Sequence, residues 1–559
     1  MSNTPATPLL TDIITNHARN EASSIACSFQ PRGPETALHL TYKALVEKVE
    51  VRAKLLTLLG YRNKHVALLF PSGLEFIVDF LACLRAGVIA IPLNVTRNAK
   101  QFERTLTILE DAKVKAILTT ADTQKSLCKQ LTETQGGHES DFIWIDEHYR
   151  TLEDIDIPAV TSDQVAFIQY TSGSTSSPKG VMVTQANIVH NMQVMQQSCQ
   201  HPKGAVVGGW LPQFHDMGLV GHMLLPLYLA GRYVFMPPMS FIQRPSRWLK
   251  LISQYRIFCS AAPNFGYEHC VNLIRETEDL SDLDLSCWKI ALNGSEPVSA
   301  STMQQFSQRF YHLGFDSNAF FPSYGMAETT LFVSGGPKGT GVQSITVDKA
   351  LFELGRVETK ADGVKVVCCG AINDDFTVRI VNPDTFEICR SNETGEIWIA
   401  GDSVAAGYLN QPAKTADEFY AKLSSGDPQT FLRTGDMGFI LAQQLYISGR
   451  IKELLIVRGR NIYPYDIERT CRSYRYAAKG NGAAVFSFQR DSQTKLAAIV
   501  EVSRQALADN KLSRMTDDLK AMVTEEHEIT LDRILVVPPG TIPKTTSGKV
   551  KRTACSALL

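Results

Sequence analysis

A repeated alternation of helical and strand-like apolar patterns constrains this chain more than any other feature. "LTYKALVEKVEVRAKLLTLLG" spaces its apolar residues at helical intervals and stops at Gly60; the strand "HVALLF", the helix "GLEFIVDFLACLRAG" and the strand "VIAIPL" follow. Strands that return through helices build parallel sheets covered on both faces. The rhythm resumes beyond residue 200 with "YVFMP", "IFCSAAP" and "WKIALNG". The expected class is α/β, with doubly wound βα subdomains at about 1–195 and 196–350. From about 351 to 448 the strands become frequent and carry turns, as in "FTVRIVNPDTFEICRSNETGEIWIAG", which predicts a small antiparallel barrel or sheet. Residues 453–559 mix helices and strands and predict a separate small α+β domain.

With 559 residues, 44% of them hydrophobic, the chain can bury a large core. Lys plus Arg number 56 against 57 Asp plus Glu, so no global positive field draws nucleic acid or anionic lipid. The 12 cysteines stand singly except for Cys368 and Cys369, and none has metal-ligand spacing. Reduced thiols of a cytoplasmic protein are the expectation. The start lacks the basic and apolar regions of a signal peptide. The most apolar stretch is interrupted by Glu75, Asp79 and Arg85, short of the roughly 20 uncharged residues of a membrane span, so no stable membrane insertion is expected.

The chemistry concentrates first in "QYTSGSTSSPKGVMVT", residues 169–184. A loop that wraps polyphosphate needs small residues, so that backbone N–H groups approach the oxygens, and hydroxyl or cationic donors. Thr171, Ser172, Gly173, Ser174, Thr175 and Lys179 supply them, although a Ser/Gly linker has a similar composition. No GxxxxGK[ST] occurs, so the loop is not of the Walker A type, and the absence of GxGxxG speaks against a dinucleotide oxidoreductase.

"YTSGSTSSPKGV", "SYGMAET", "LRTGD", "GRIKELLIVRGRNIYP" and "PKTTSGK" stand in the order and spacing of the adenylate-forming superfamily, which the chain resembles from about residue 160 to its end. The resemblance implies an N-terminal adenylation domain at 1–448, a hinge at 449–452 and a mobile C-terminal lid at 453–559. It also implies ATP-dependent activation of a carboxylic acid, with the loop on the leaving pyrophosphate. Two anions must be brought together, so positive charge and in-line alignment are required. On this resemblance Lys549 is the mobile catalytic lysine, Glu328 a catalytic carboxylate that holds Mg²⁺ with help from Thr175, and Lys452 the hinge. Asp436 and Arg450 would meet the ribose, and Tyr324, within Ser323, Gly325, Met326 and Ala327, would stack on adenine. Asn293, Gly294, Ser295 and Glu296 would line the other side of the base, with a plain strand-to-helix turn as the alternative.

The stretch 208–245 is rich in Trp, Phe, Met and small residues, as a pocket for an alkyl chain requires, and equally as a core requires. The candidate acyl-pocket residues are Phe214, Asp216, Met217, Gly221, Met236 and Phe265. His215, a candidate catalytic residue, stands with Asp216 where the substrate carboxylate could be oriented. "WLPQFHDMGL" resembles the fatty acyl-AMP ligase branch, which implies a long-chain fatty acid as substrate and a holo acyl carrier protein or polyketide synthase carrier domain as acceptor. An insertion near 337–365 agrees, since in that branch such a segment restrains the lid and disfavours coenzyme A. A long-chain acyl-CoA synthetase, an amino-acid adenylation domain using Asp216, and a catalytically silent ATP-binding scaffold remain as alternatives.

Overall fold

The computed structural model of the chain describes residues 8–95, 99–135, 143–144, 155–171, 178–457, 460–478, 482–490, 493–508, 512–545 and 549–559. Two large sheets carry most of the strands. In the first, six strands run in the order Ile143–Trp144, Ala116–Leu118, His65–Phe70, Ile89–Asn94, Val165–Thr171, Lys179–Thr184. The first five are parallel, and the last turns back antiparallel. Helix Leu74–Ala86 is apolar on most sides because it lies largely inside, with Ile77, Phe80 and Leu84 buried and Glu75 left exposed at its start.

The second sheet has fourteen strands. Its parallel part runs Ile25–Phe29, Arg232–Phe235, Val206–Gly209, Cys259–Ala262, Ile290–Asn293, Phe320–Gly325. It then continues through the antiparallel strand Phe332–Gly335 into Val364–Ile372, Gln444–Arg450, Leu432–Leu441, Gly395–Ala400 and Thr377–Val381. The antiparallel region is thus hydrogen-bonded to the parallel one.

The N-terminal hairpin departs from the sequence reading. Residues 25–41 lie within the span read as the first βα subdomain, yet Cys27 and Phe29 pair with Tyr233 and Phe235 of the second sheet. Tyr42 ties the connection by donating its hydroxyl to the Gly231 carbonyl at 2.8 Å. Pairing across such a chain separation leaves no local pattern to read.

Residues 460–559 build a three-stranded sheet, Ala483–Arg490, Gln493–Glu501 and Arg533–Val537, packed by helices Pro464–Arg472 and Leu512–His527 around Ile467, Val500 and Leu519. All twelve cysteines are free thiols. Among the described residues no helix is long and apolar enough to cross a membrane.

Candidate active site

The carboxyl ends of parallel strands leave a crevice wherever loops diverge, and ligands bind there in open α/β sheets. A cavity of about 540 Å³ occupies this position, bounded by both sheets and by the C-terminal region. Thr171 and Lys179 line it from the strands flanking the Ser/Gly-rich loop, Gly294 and Ser295 from the end of Ile290–Asn293, and Ser323, Tyr324, Gly325, Met326, Ala327 and Glu328 from the next strand end. Gly325 is required there, because a Cβ would stand 1.7 Å from the Leu331 carbonyl oxygen. Ser172, Gly173, Ser174 and Thr175 lie outside the described residues.

One wall is organised by Asp436. It is buried, accepts the Tyr324 hydroxyl at 2.8 Å, and faces Arg450 Nε at 2.9 Å across paired strands. The same carboxylate raises the Arg450 pKa, so the guanidinium is charged throughout the useful pH range. Glu396 fixes the preceding turn by accepting the Gly435 N–H at 3.0 Å and Arg433 Nε at 3.1 Å.

A second wall gathers charges around Tyr408. Its hydroxyl lies 2.9 Å from Glu328 Oε1 and 2.8 Å from Glu418 Oε2. A phenol carries one hydrogen, so the hydroxyl donates to one of the two carboxyl groups at a time. Burial raises the Glu328 pKa, and the Tyr408 hydroxyl and Lys179 oppose this. Lys179 Nζ stands 3.4 Å from Glu418 and over the Tyr408 ring at 4.8 Å, and burial, with Lys414 beside it, lowers its pKa to about 8. Two carboxyl groups converging on one buried point form an all-oxygen donor set, which suits a hard cation such as Mg²⁺.

Lys549 reaches the same cavity from the C-terminal region. Its N–H bonds to Thr545 Oγ1 at 3.0 Å while the Thr545 N–H bonds to its carbonyl at 2.7 Å, forming a tight loop. Arg552 anchors this segment by bonding Glu468 at 2.7 and 2.8 Å and Glu453 at 2.7 Å. Burial, then Arg450, lowers the Lys549 pKa; Asp216, Glu296 and Asp436 oppose this. The lysine therefore holds its charge less firmly than usual until an anion arrives.

On the remaining side His215 Nδ1 stands 2.5 Å from Asp216 Oδ1. Burial disfavours the Asp216 charge, but His215 and Lys549 outweigh it and keep the carboxyl at about 2. Asp216 opens a π-helical segment, Met217–Leu224, whose wider winding turns Met217, Gly221 and His222 onto the cavity beside Phe214. Leu225, Met195, Cys199, His201 and Cys259 line the cavity as well, beside Leu331 and Phe332.

The structure moves three expected residues off the site. Asn293 is fully buried and donates Nδ2 to Asn264 Oδ1 at 3.4 Å and Met303 Sδ at 3.2 Å; its strand neighbour Leu292 faces the cavity instead, as alternation along a strand demands. Glu296 accepts the Phe265 N–H at 2.6 Å and stands near enough to Lys549 to favour its charge. Met236 and Phe265 pack in the aromatic core around Trp210 and Trp248, and composition carries no information about which face an apolar residue takes. The cavity also contains Tyr408, Glu418, Glu396, Arg104 and His201, none of which the sequence reading singled out. Tyr408 and Glu418 sit in "GYLNQPAKTADEF", whose spacing has no meaning until the strand end beside it is known.

The description "AMP-binding enzyme" matches residues 14–409, and "Disco-interacting protein 2-like, AMP domain" matches residues 452–558. The chain is 36% identical to the medium-chain-fatty-acid–[acyl-carrier-protein] ligase JamA of Moorena producens, over 99% of this chain and 95% of that protein. It is 35% identical to the long-chain-fatty-acid–AMP ligase FadD26 of Mycobacterium bovis, over 92% and 90%. Among solved structures, a fatty acyl-adenylate ligase from L. pneumophila in complex with acyl adenylate and pyrophosphate superposes with a TM-score of 0.75 at 34% identity, over 98% of this chain and 96% of that one. With its strand-end cavity and these likenesses spanning nearly its whole length, the chain belongs to the AMP-binding enzyme family and, within it, to the fatty acyl-AMP ligase branch.

Proposed function

We propose that the protein converts a medium- to long-chain fatty acid and ATP to acyl-AMP and pyrophosphate and then passes the acyl group to the phosphopantetheine thiol of a holo acyl carrier protein or polyketide synthase carrier domain, releasing AMP, as the functions of its relatives suggest. The observation that carries the reading is the convergence of Lys549, Asp436, Glu328 and apolar side chains such as Leu225, Leu331 and Phe332 on one cavity. In the first step a carboxylate oxygen attacks the α-phosphorus of ATP, the bond to the β-phosphate oxygen breaks, and pyrophosphate leaves. Lys549 offsets the repulsion between the two anions. Asp436 and Arg450 hold the ribose end, Tyr324 meets the base, and Lys179 faces the leaving phosphates. His215, paired to Asp216, orients the incoming carboxylate. Glu328, with Glu418 beside it, would hold Mg²⁺, which when bound supplies neutralisation of the phosphate charge.

In this reading residues 1–448 are the adenylation domain, 453–559 the lid, and the 3₁₀ turn Ile451–Glu453, with Lys452, the pivot. The segment 337–365 supports the preference for a carrier protein. It contributes the strand Ser344–Val347 and the helix Lys349–Glu353, and Glu353 Oε2 lies 2.6 Å from Arg460 Nε of the lid. Lys349 Nζ also donates to the Glu526 carbonyl. These contacts tether the lid and oppose its rotation. We place the enzyme in the cytoplasm, where ATP is available.

The test is incubation with ATP, Mg²⁺ and a panel of fatty acids, with free coenzyme A or a holo carrier protein, followed by mass spectrometry. Acyl-AMP and acylated carrier support the reading. Acyl-CoA as the main product would move the protein to the acyl-CoA synthetases, and absence of acyl-AMP would overturn the proposal.

A further inference from the structure

The helix Ala99–Asp111 turns one face to the cavity, which Arg104, Thr105 and Ile108 line from there. Its end is fixed to the first sheet, where Asp111 Oδ2 accepts the Tyr170 hydroxyl at 2.5 Å. Arg104 differs from the two other arginines of the cavity. Arg450 Nε stands 2.9 Å from Asp436 and Arg433 Nε 3.1 Å from Glu396, whereas Arg104 forms no ion pair with a carboxylate among the described residues. Its hydrogen bond there runs from Nη2 to the Thr171 carbonyl at 3.5 Å, the far limit of such a bond. Most of the guanidinium's N–H donors therefore meet no protein acceptor among the described residues.

A half-buried charge without a counter-charge costs free energy. Burial presses on this guanidinium and no anion opposes it, yet arginine stays protonated in proteins. The group is held ready for an anion, and Thr171 indicates which. Thr171 ends the strand Val165–Thr171 and pairs in register with Lys179, the first residue of the strand Lys179–Thr184. The sequence "SGSTSSP", residues 172–178, spans these two feet. Arg104 thus stands at one foot of the hydroxyl- and glycine-rich loop, and Lys179, which also lines the cavity, at the other.

We infer that Arg104 binds a phosphate group other than the reacting α-phosphate, from the foot of the loop opposite Lys179. A guanidinium presents parallel N–H groups to the oxygens of one phosphate, a fork that lysine lacks. The inference rests on the adenylation and transfer proposed above, which bring phosphate to the cavity from two sources: the terminal pair of ATP and the phosphopantetheine ester of the carrier. Both present the same chemistry.

The experiment compares full-length Arg104→Gln and Arg104→Lys with the wild type. Isothermal titration with Mg²⁺ gives the affinities for ATP, pyrophosphate and AMP, and transfer from preformed dodecanoyl-AMP gives the KM for a holo carrier protein. If the terminal phosphates of ATP are the ligand, ATP and pyrophosphate should weaken by about ten- to a hundredfold in Arg104→Gln while AMP binds as before. If the phosphopantetheine ester is the ligand, the KM for the carrier should rise by a similar factor and ATP should bind as before. Arg104→Lys should recover part of either loss, since it keeps the charge without the fork. The melting temperature of Arg104→Gln should stay level or rise, because no counter-charge is left behind. ATP, pyrophosphate and carrier all within twofold of the wild type overturn the inference. AMP weakened as much as ATP, or a lowered melting temperature with loss of every ligand, also overturns it, since the arginine then supports the site as a whole. No acyl-AMP from any fatty acid overturns the underlying activity, while the ATP and pyrophosphate titrations still decide on Arg104.

Discussion

Arg450 Nε and Asp436 Oδ1 lie 2.9 Å apart at positions that pair across antiparallel strands, so the backbone register itself holds a charged pair against the strand-end cavity. Asp436 is 4% exposed and Tyr324 completes its hydrogen bonding. Replacing Asp436 by Ala should raise the KM for ATP by about ten- to a hundredfold, the range for losing hydrogen bonds to a buried charge. Isothermal titration of ATP and a thermal melt separate lost binding from lost folding. A KM within twofold of the wild type would show that the pair serves the fold alone.

Lys549 gains nothing from burial in the empty cavity, since desolvation and Arg450 both disfavour its charge. Lys549→Ala should therefore leave the melting temperature unchanged or slightly higher, while acyl-adenylate formation falls by about a hundred- to a thousandfold. Pyrophosphate release with dodecanoate at near-normal rate would sink this role.

Lys179, with its pKa lowered to about 8, predicts a pH dependence. Below that value the ammonium is charged and attracts phosphate; above it the empty site loses the charge, so ATP must bring a proton with it. The KM for ATP should rise as pH increases from 7 to 9.5, and the rise should flatten in Lys179→Gln. A KM that falls with pH would contradict the assignment.

Tyr408 bridges Glu328 and Glu418 with one hydroxyl. In Tyr408→Phe the two carboxyl groups lose the hydroxyl that stands between them. We expect the Mg²⁺ concentration for half-maximal activity to shift, with kcat reduced about tenfold, comparable to loss of one positioned hydrogen bond. An unaltered Mg²⁺ titration would remove Tyr408 from the site's chemistry.

Glu353 and Arg460 join the segment 337–365 to the lid at 2.6 Å. Arg460→Ala, or deletion within 337–365, should increase acyl-CoA formation relative to acylation of the carrier, because a tether that favours one lid position sets the population of the other. Negligible coenzyme A acylation by a folded, adenylating deletion variant would show that the tether is not the determinant.

Acid should destabilise the fold. Burial holds His201 and His269 at about 4 and His222 at about 3, whereas in the unfolded chain they titrate near 6.5. Between those values the unfolded chain binds the extra protons, so stability is lost as pH falls below 6.5, by about 1.4 kcal/mol per histidine per pH unit. Urea denaturation at pH 7 and pH 5 measures it.

Much of the α/β rhythm was legible because strand and helix differ in apolar period, and the strand His65–Phe70, helix Leu74–Ala86 and strand Ile89–Asn94 each announce themselves within a few residues. The segments that line the cavity from strand ends were equally visible, since glycine and hydroxyl residues after an apolar strand mark a turn. Face and partner were not legible. Met236, Phe265 and Asn293 stand in suggestive stretches but turn inward, and the hairpin 25–41 pairs with a strand some two hundred residues onward.

Local order along the chain therefore settled the class of fold and the inventory of chemically capable groups, because period, turn chemistry and motif spacing are properties of neighbouring residues. Packing at a distance settled which of those groups meet. Arg552 carries Lys549 to Asp216, Tyr408 joins Glu328 to Glu418, and His222 meets the Ala261 N–H inside the fold, and each relation arises when elements remote in sequence exclude water together.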